Sequence, residues 1–488
     1  MECHAHPFPR RTAGGGQDIV STPATTLFDK LWQAHVIEEL GDGWALLHID
    51  RQLLHDMSGS RSLGQLEERQ LPVARPELAF ATPDHMVSTA PGRTGTTFAG
   101  GAQLWSRLKD GSRSRGIRFF DLGQPGHGIV HVMGPEMGIV LPGTTVICGD
   151  SHTCTDGALG AMAFGVGSSE LMHALATQTL MQRKPRSMRI RFEGLLPDRV
   201  AAKDVILHAI SRLGAAAGTG HAVEYAGPAI EAMSVEERMT VCNLSIEMGA
   251  KVGLVAPDDK VFDYLAGRPF APRGALFDQA VAHWRGLRSD PGAAFDREEN
   301  IDISALEPQL TWGTSPEQGT GIAGWVPLDN DAPDEARRDA WREARQYMGL
   351  AAGSALRGQR IDRVFIGSCT NSRISDLRAA TDLLRPGLRV APHVTAWVVP
   401  GSENVRRQAE REGLHQRFIE AGFDWREPGC SMCVAANGEI AEPGERVVST
   451  SNRNFVGRQG KGVRTHLASP ATAVASALAG AIADPREL

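Results

Sequence analysis

The strongest constraint in this chain is a local order: a short apolar run, a polar loop, then a helix-like stretch. In "GTTVICGDSH", residues 144–148 read as a buried strand running into a loop that carries Asp150, Ser151 and His152. "GAMAFGVGSSELMHALATQTLM" follows as a Gly-rich turn and a helix. "RVFIGSCTNS" followed by "ISDLRAATDLL" keeps the same order, with Cys369 in the loop. Such alternation predicts an α/β fold. It puts the polar loops at the carboxyl ends of strands, where open α/β sheets bind ligands.

The 488 residues suffice for several domains, each with its own core. Residues 1–25 are rich in Pro, Gly and polar side chains and read as a loose tail, without the apolar segment of a signal peptide. Cys3, His4 and His6 in that tail have metal-ligand chemistry, but a flexible terminus holds ligands poorly. A first block covers 26–194 and opens with a helix in "TLFDKLWQAHVI" and a strand in "WALLHID". A second covers 195–312, with an amphipathic helix in "AAKDVILHAISRL" and a helix leading to a strand in "MTVCNLSIEMGAKVGLV". Residues 313–345, rich in Gly, Pro and charge, read as a linker to a third block at 346–488. No internal repeat is visible.

Composition excludes some classes. The formal charge of -6 provides no net basic surface, which counts against a general nucleic-acid binder. No run of 18 apolar residues occurs, so no membrane-spanning helix is expected. Seven cysteines, an odd and sparse set, favour a reducing cytoplasm over a disulfide framework.

Three cysteines stand in loops after apolar or Gly/Pro lead-ins: Cys369 in "VFIGSCTNS", and Cys430 and Cys433 in "PGCSMC". Thiolates suit zinc or iron–sulfur. A closed zinc site needs four ligands, and no fourth cysteine stands nearby in sequence. Three thiolates on a four-iron cluster would leave one iron open. Spacing alone admits a cluster, a zinc site, or a chance pair beside a structural cysteine.

Asp84 and His85 in "ATPDHMVST", His131 in "GHGIVHVMGPE", and Asp150, Ser151 and His152 in "CGDSHTCTDG" offer acid–base chemistry, since a carboxylate fixes and strengthens an imidazole. Each taken singly also fits a hydrogen-bonded structural histidine or a turn residue. Glu224 in "GHAVEYAGP" has a partly buried setting, and Cys154 reads as a bystander. Asn452, Arg453 and Arg458 in "STSNRNFVGRQG" offer a carboxylate-binding group, or simply solvated arginines.

From about residue 26 onward the chain resembles the aconitase family, through "DHMVST", "GIVHVMGPE", "GDSHT", "GTGHAVEYAGPAI", "TVCNLSIEMGA", "IGSCTNSRISDLRAA", "PGCSMC" and "STSNRNFVGRQG". The resemblance implies a three-domain α/β core around one [4Fe-4S] cluster per subunit, held by Cys369, Cys430 and Cys433. It implies catalytic roles for Asp84, His85, His131, Asp150, His152 and Glu224. It implies substrate contacts for Ser151, Asn452, Arg453 and Arg458. The family's fourth, swivelling domain is absent, so a separate small subunit is expected. The implied reaction moves a hydroxyl by dehydration and rehydration of a small dicarboxylate. The branch it resembles most closely isomerises isopropylmalate for leucine synthesis; citraconate/2-methylmalate, dimethylmalate or homoaconitate are the alternative substrates. Asp156, where this branch carries His, is a departure from the family pattern.

Overall fold

The computed structural model describes residues 24–488; the Cys3, His4 and His6 group and most of the 1–25 tail lie outside them. Three parallel sheets organise the chain. The first contains Arg51–Leu54, Ala79–Ala81, Arg118–Phe119, Thr145–Cys148 and Met162–Gly165. Numbered in chain order, these strands lie side by side as three, two, one, four, five. All its pairings are parallel, as in Leu53 against Cys148 and Thr145 against Met162. Val146, Ile147 and Cys148 are fully buried, as expected for a strand covered on both faces. "MAFG", read from sequence as a turn, is the fifth strand: its side chains complete the sheet edge beside Thr145–Cys148.

The third sheet has Arg363–Ile366, Thr395–Val398, Asp424–Trp425, Arg446–Ser449 and Arg464–Leu467, in the same lateral order. The two sheets are thus topological copies. What recurs is strand order rather than residues, so no sequence repeat announces it. In each sheet the order reverses between the first and fourth strands. Loops there splay apart at the carboxyl ends and leave a crevice.

The second sheet contains Arg186–Glu193, His221–Ala226, Val252–Leu254 and Arg297–Asp302, ordered three, two, one, four. Arg186–Glu193, placed by sequence in the first block, pairs wholly within this sheet. Met188, Ile190 and Phe192 alternate into its core while Arg189 and Arg191 face outward. One apolar core runs from Leu27 to Leu306 beneath the first two sheets; another lies under the third.

The stretch read as a linker is largely structured. Gly319–Gly321 pairs with Gln309–Thr311, and Glu335–Met348 is a helix capped by Asp334, whose carboxylate accepts from Arg337 N at 2.7 Å. Its apolar contacts are few, and Trp341 meets Trp312 edge-on at 5.8 Å. Dense charge on the outer face hid that pattern. No helix among the described residues is long and apolar enough to cross a membrane.

Candidate active site

The carboxyl-end loops of the first and third sheets line one cleft of about 260 Å³. From the first sheet come His55, His85, Asp150, Ser151 and His152; from the third come Cys369, Cys430, Cys433, Asn452, Arg453 and Arg458. A larger hollow of about 670 Å³ opens between the first two sheets, but no cysteine lines it.

The three thiols are brought together by bent loops. Ser368 and Ser431, beside Cys369 and Cys430, have φ of 87° and 48°, sparsely populated for residues with a side chain. Surrounding bonds hold them there. Cys430 N donates to Asp84 O at 2.9 Å, and Gly367 N to Thr450 Oγ1 at 2.9 Å. Glu439 accepts from Thr89 N at 2.6 Å and Ser431 Oγ at 2.5 Å, tying the Cys430 loop to the Asp84–His85 loop. Asn452 Nδ2 and Asn243 Nδ2 donate to Cys369 Sγ at 3.3 and 3.2 Å. Burial pushes the Cys369 thiol up to about 12, with Cys433 adding to it, and pushes Cys430 well above the ordinary thiol value. The thiolate is the ligand form, so a bound cation is what would make these sulfurs ligands.

Facing them is a chain of acids and imidazoles. His85 Nδ1 lies 2.5 Å from Asp84 Oδ1 and its Nε2 3.2 Å from Asp150 Oδ2. Burial opposes charge on His85, but Asp84, Cys430 and Asp150 outweigh it and hold its pKa well above the ordinary value. Burial likewise opposes charge on Asp150, yet His152 and His85 hold its carboxyl well below the usual range. Asp150 reaches the cleft because Gly149 leaves room: a Cβ there would stand 2.0 Å from Ser58 Oγ. His131 lies behind the cleft wall, fully buried, with Nε2 4.0 Å from Asp150 Oδ1.

The second sheet contributes through residues the sequence reading passed over. Glu247 Oε1 accepts from His152 Nε2 at 3.0 Å and from Arg453 Nε at 2.7 Å. Burial raises its pKa, but His152 and Arg453 bring it below the ordinary value. Fully buried Lys203 donates to Thr450 O at 2.9 Å and Ser451 O at 2.6 Å, anchoring the strand end before Asn452. Burial brings its pKa down to about 7 against the pull of Cys433 and Cys369.

Glu224, expected in the site, is not brought there. It sits mid-strand in His221–Ala226 and accepts from Ser289 Oγ at 2.7 Å, against the start of the first helix. A mid-strand side chain points to a sheet face, whereas this cleft is built at strand ends. The glutamate tied to the cleft is Glu247, in "TVCNLSIEMGA", through its bonds to the lining residues His152 and Arg453.

His55 was also missed. Its ring stacks on His85 with centroids 4.2 Å apart, and its Nε2 lies 2.8 Å from Ser58 Oγ. His55, Asp56, Asp84 and His85 bring their ligand atoms within 4.8 Å of one another. Yet Asp56 already accepts from His85 N at 3.1 Å and Met86 N at 2.8 Å, so it serves as an anchor for the loop. The sequence signal for His55 and Asp56 was the polar pair "HD" directly after the strand Arg51–Leu54.

Loops at two facing switch points, three buried cysteines and a carboxylate–imidazole chain define an α/β enzyme with a candidate metal centre. The sequence model described as "Aconitase family (aconitate hydratase)" matches residues 29–480. The chain belongs to the aconitase family. It is 59% identical over 473 residues to the 3-isopropylmalate dehydratase large subunit 1 of Bradyrhizobium diazoefficiens, covering 97% of this chain and 99% of that one. It is 50% identical over 467 residues to the 3-isopropylmalate dehydratase large subunit of Roseiflexus castenholzii, covering 95% and 99%.

The family implies an iron–sulfur cluster. The donor set fits one. Three soft sulfurs converge, and Cys148, Cys154 and Cys242, the other described cysteines, do not line the cleft. Two amide groups and a buried ammonium stand ready to offset thiolate charge.

Proposed function

We propose that this chain is the cluster-bearing large subunit of a hydro-lyase that interconverts 2-isopropylmalate and 3-isopropylmalate through 2-isopropylmaleate, in leucine biosynthesis. Its relatives are 3-isopropylmalate dehydratase large subunits along nearly their whole length. The observation that carries the reading is the convergence of Cys369, Cys430 and Cys433 on a cleft whose facing wall is His85, Asp150 and Ser151.

Cys369, Cys430 and Cys433 would hold one [4Fe-4S] cluster. When bound, a cluster with three protein ligands supplies a Lewis-acidic iron, which eases departure of a hydroxyl by several kcal/mol. His85 is the proton donor to that hydroxyl: Asp84 and Asp150 keep it protonated and aimed at the cleft. His131 backs Asp150, while Glu247 fixes His152 and Arg453 together. Arg453, Arg458, Asn452 and Ser151 receive the substrate carboxylates. Support for Arg458 comes from its Nε, which is buried at the cleft with no hydrogen-bond partner among the described residues.

A separate small subunit completes the site, in keeping with the names of the relatives. The bound molecule is a small dicarboxylate rather than nucleic acid or a membrane lipid. The setting is the cytoplasm, where thiols stay reduced.

The test is activity of an anaerobic, iron- and sulfide-reconstituted sample, with and without the candidate small subunit, on 2-isopropylmalate and citraconate in parallel. Activity on isopropylmalate that needs both chains is the expected result. Turnover of citraconate alone would keep the chemistry and replace the substrate. A protein that binds zinc without iron or sulfide would sink the proposal.

A further inference from the structure

His131 is held between two carboxylates. Its Nδ1 lies 3.5 Å from Asp156 Oδ2, and its Nε2 lies 4.0 Å from Asp150 Oδ1. His131 and Asp156 are both fully buried. Neither ring nitrogen and neither Asp156 oxygen has a hydrogen-bond partner among the described residues. Two buried polar groups left unpaired are each costly, so the compensation available to either is chiefly the other.

The backbone explains why they meet. His131 is the second residue of the helix Val130–Glu136, whose first amide, Val130 N, donates to Asp84 Oδ2 at 2.9 Å. Asp156 rides on the short-turned segment Ser151–Leu159, which Asp150 caps through His152 N at 2.7 Å. One rigid segment therefore carries Asp156 and its own cap, Asp150, and the imidazole fits between them.

We propose that Asp156 is a positioning residue of the acid–base machinery: it braces His131 through Nδ1, keeping the imidazole charged and its Nε2 aimed at Asp150. This rests on the hydro-lyase reading above. The charged groups around His131 agree with it. Asp84 and Asp150 face it from the first sheet's loops and Asp156 from the short-turned segment. From the third block, the Arg373 guanidinium donates to His131 O at 3.3 Å. Burial lowers the His131 pKa, but Asp156, Asp150 and Asp84 outweigh burial and leave it above the ordinary imidazole value. Burial raises Asp156, against the pull of His131 and Arg373.

Asp156→Asn removes the charge at nearly constant volume. In the reconstituted two-chain complex, we expect the alkaline limb of the kcat–pH profile to move about one pH unit lower. Above that limb kcat falls about tenfold, because one unit is tenfold in protonation. KM and cluster absorbance stay unchanged. Adding Asp156→Asn to His131→Gln should change the rate no further, because Asp156 acts through His131. A uniform loss at all pH values, or additive losses in the double variant, would overturn the proposal.

Ring-nitrogen NMR of His131, assigned with His131→Gln, reads the same pair without turnover. A wild-type His131 titrating at or below the ordinary imidazole value overturns the proposal even where Asp156→Asn does not fold. The hydro-lyase reading fails separately, through an inactive wild-type complex.

Discussion

Asn452 donates its side-chain amide to Cys369 Sγ at 3.3 Å. Its Oδ1 faces Cys433 Sγ at 3.5 Å, so one side chain spans two of the three thiols. Asn452→Asp would place a carboxylate against the same sulfurs. Partners of metal ligands set affinity, so cluster retention should weaken about 10–100-fold. The rate of iron release to a chelator measures it, with circular dichroism as the control for folding. Wild-type retention would show that the amide donor is not needed.

The cysteines divide into two kinds. Cys369→Ser should abolish cluster assembly, while Cys154→Ser should leave it intact. Cys154 is buried off the cleft, where its thiol faces Asn243 O at 3.5 Å. Iron and sulfide per chain after anaerobic reconstitution decide this. Equal loss from both variants would mean that the ligands are misassigned.

Glu247 and Glu224 provide a paired test of the cleft. Glu247→Gln breaks the charge link between His152 and Arg453 and should lower kcat at least ~100-fold, the low end for a group in acid–base catalysis. Glu224→Gln keeps a partner for Ser289 and should leave kcat within about twofold, because Glu224 is buried away from the cleft and does not line it. Steady-state rates of the two-chain complex read both.

Glu136 predicts a pH effect on stability. Burial raises its carboxyl to about 7, against the Ser402 hydroxyl that donates to it at 2.6 Å. Between the ordinary carboxyl value of 4.5 and about 7, the folded state binds more protons than the unfolded one. Stability from this group is therefore full below 4.5 and is lost as pH rises through 7, by about 3 kcal/mol at most. Glu136→Gln should raise the unfolding temperature at pH 8 and change it little at pH 5. Equal shifts at both pH values would rule out the ionisation.

Much of the site was legible because the motifs are local. "GDSHT" and "IGSCTNS" each put polar residues directly after an apolar strand, and both loops line the cleft. The cysteines were legible from chemistry, since few residue types take metal. The linker was misread because a helix with few apolar contacts and many arginines resembles a charged loop. "MAFG" was misread because glycines on both sides mimic a turn, whereas pairing to Thr145–Cys148 is a long-range fact.

By itself, the sequence determined the α/β class, the strand-end loops and the three candidate sulfurs, all of which follow from runs of a few residues. Only the tertiary structure decided which distant groups meet. Glu224 and Glu247 both sit in motifs shared with the family, and nothing local separates them. Sheet geometry does: one points to a sheet face from mid-strand, the other stands on a short-turned segment, Leu244–Met248, beside the cleft. The pairing of Asp156 with His131, and the shared strand order of the first and third sheets, arise the same way. They are properties of packing, which brings together residues that no sequence window contains.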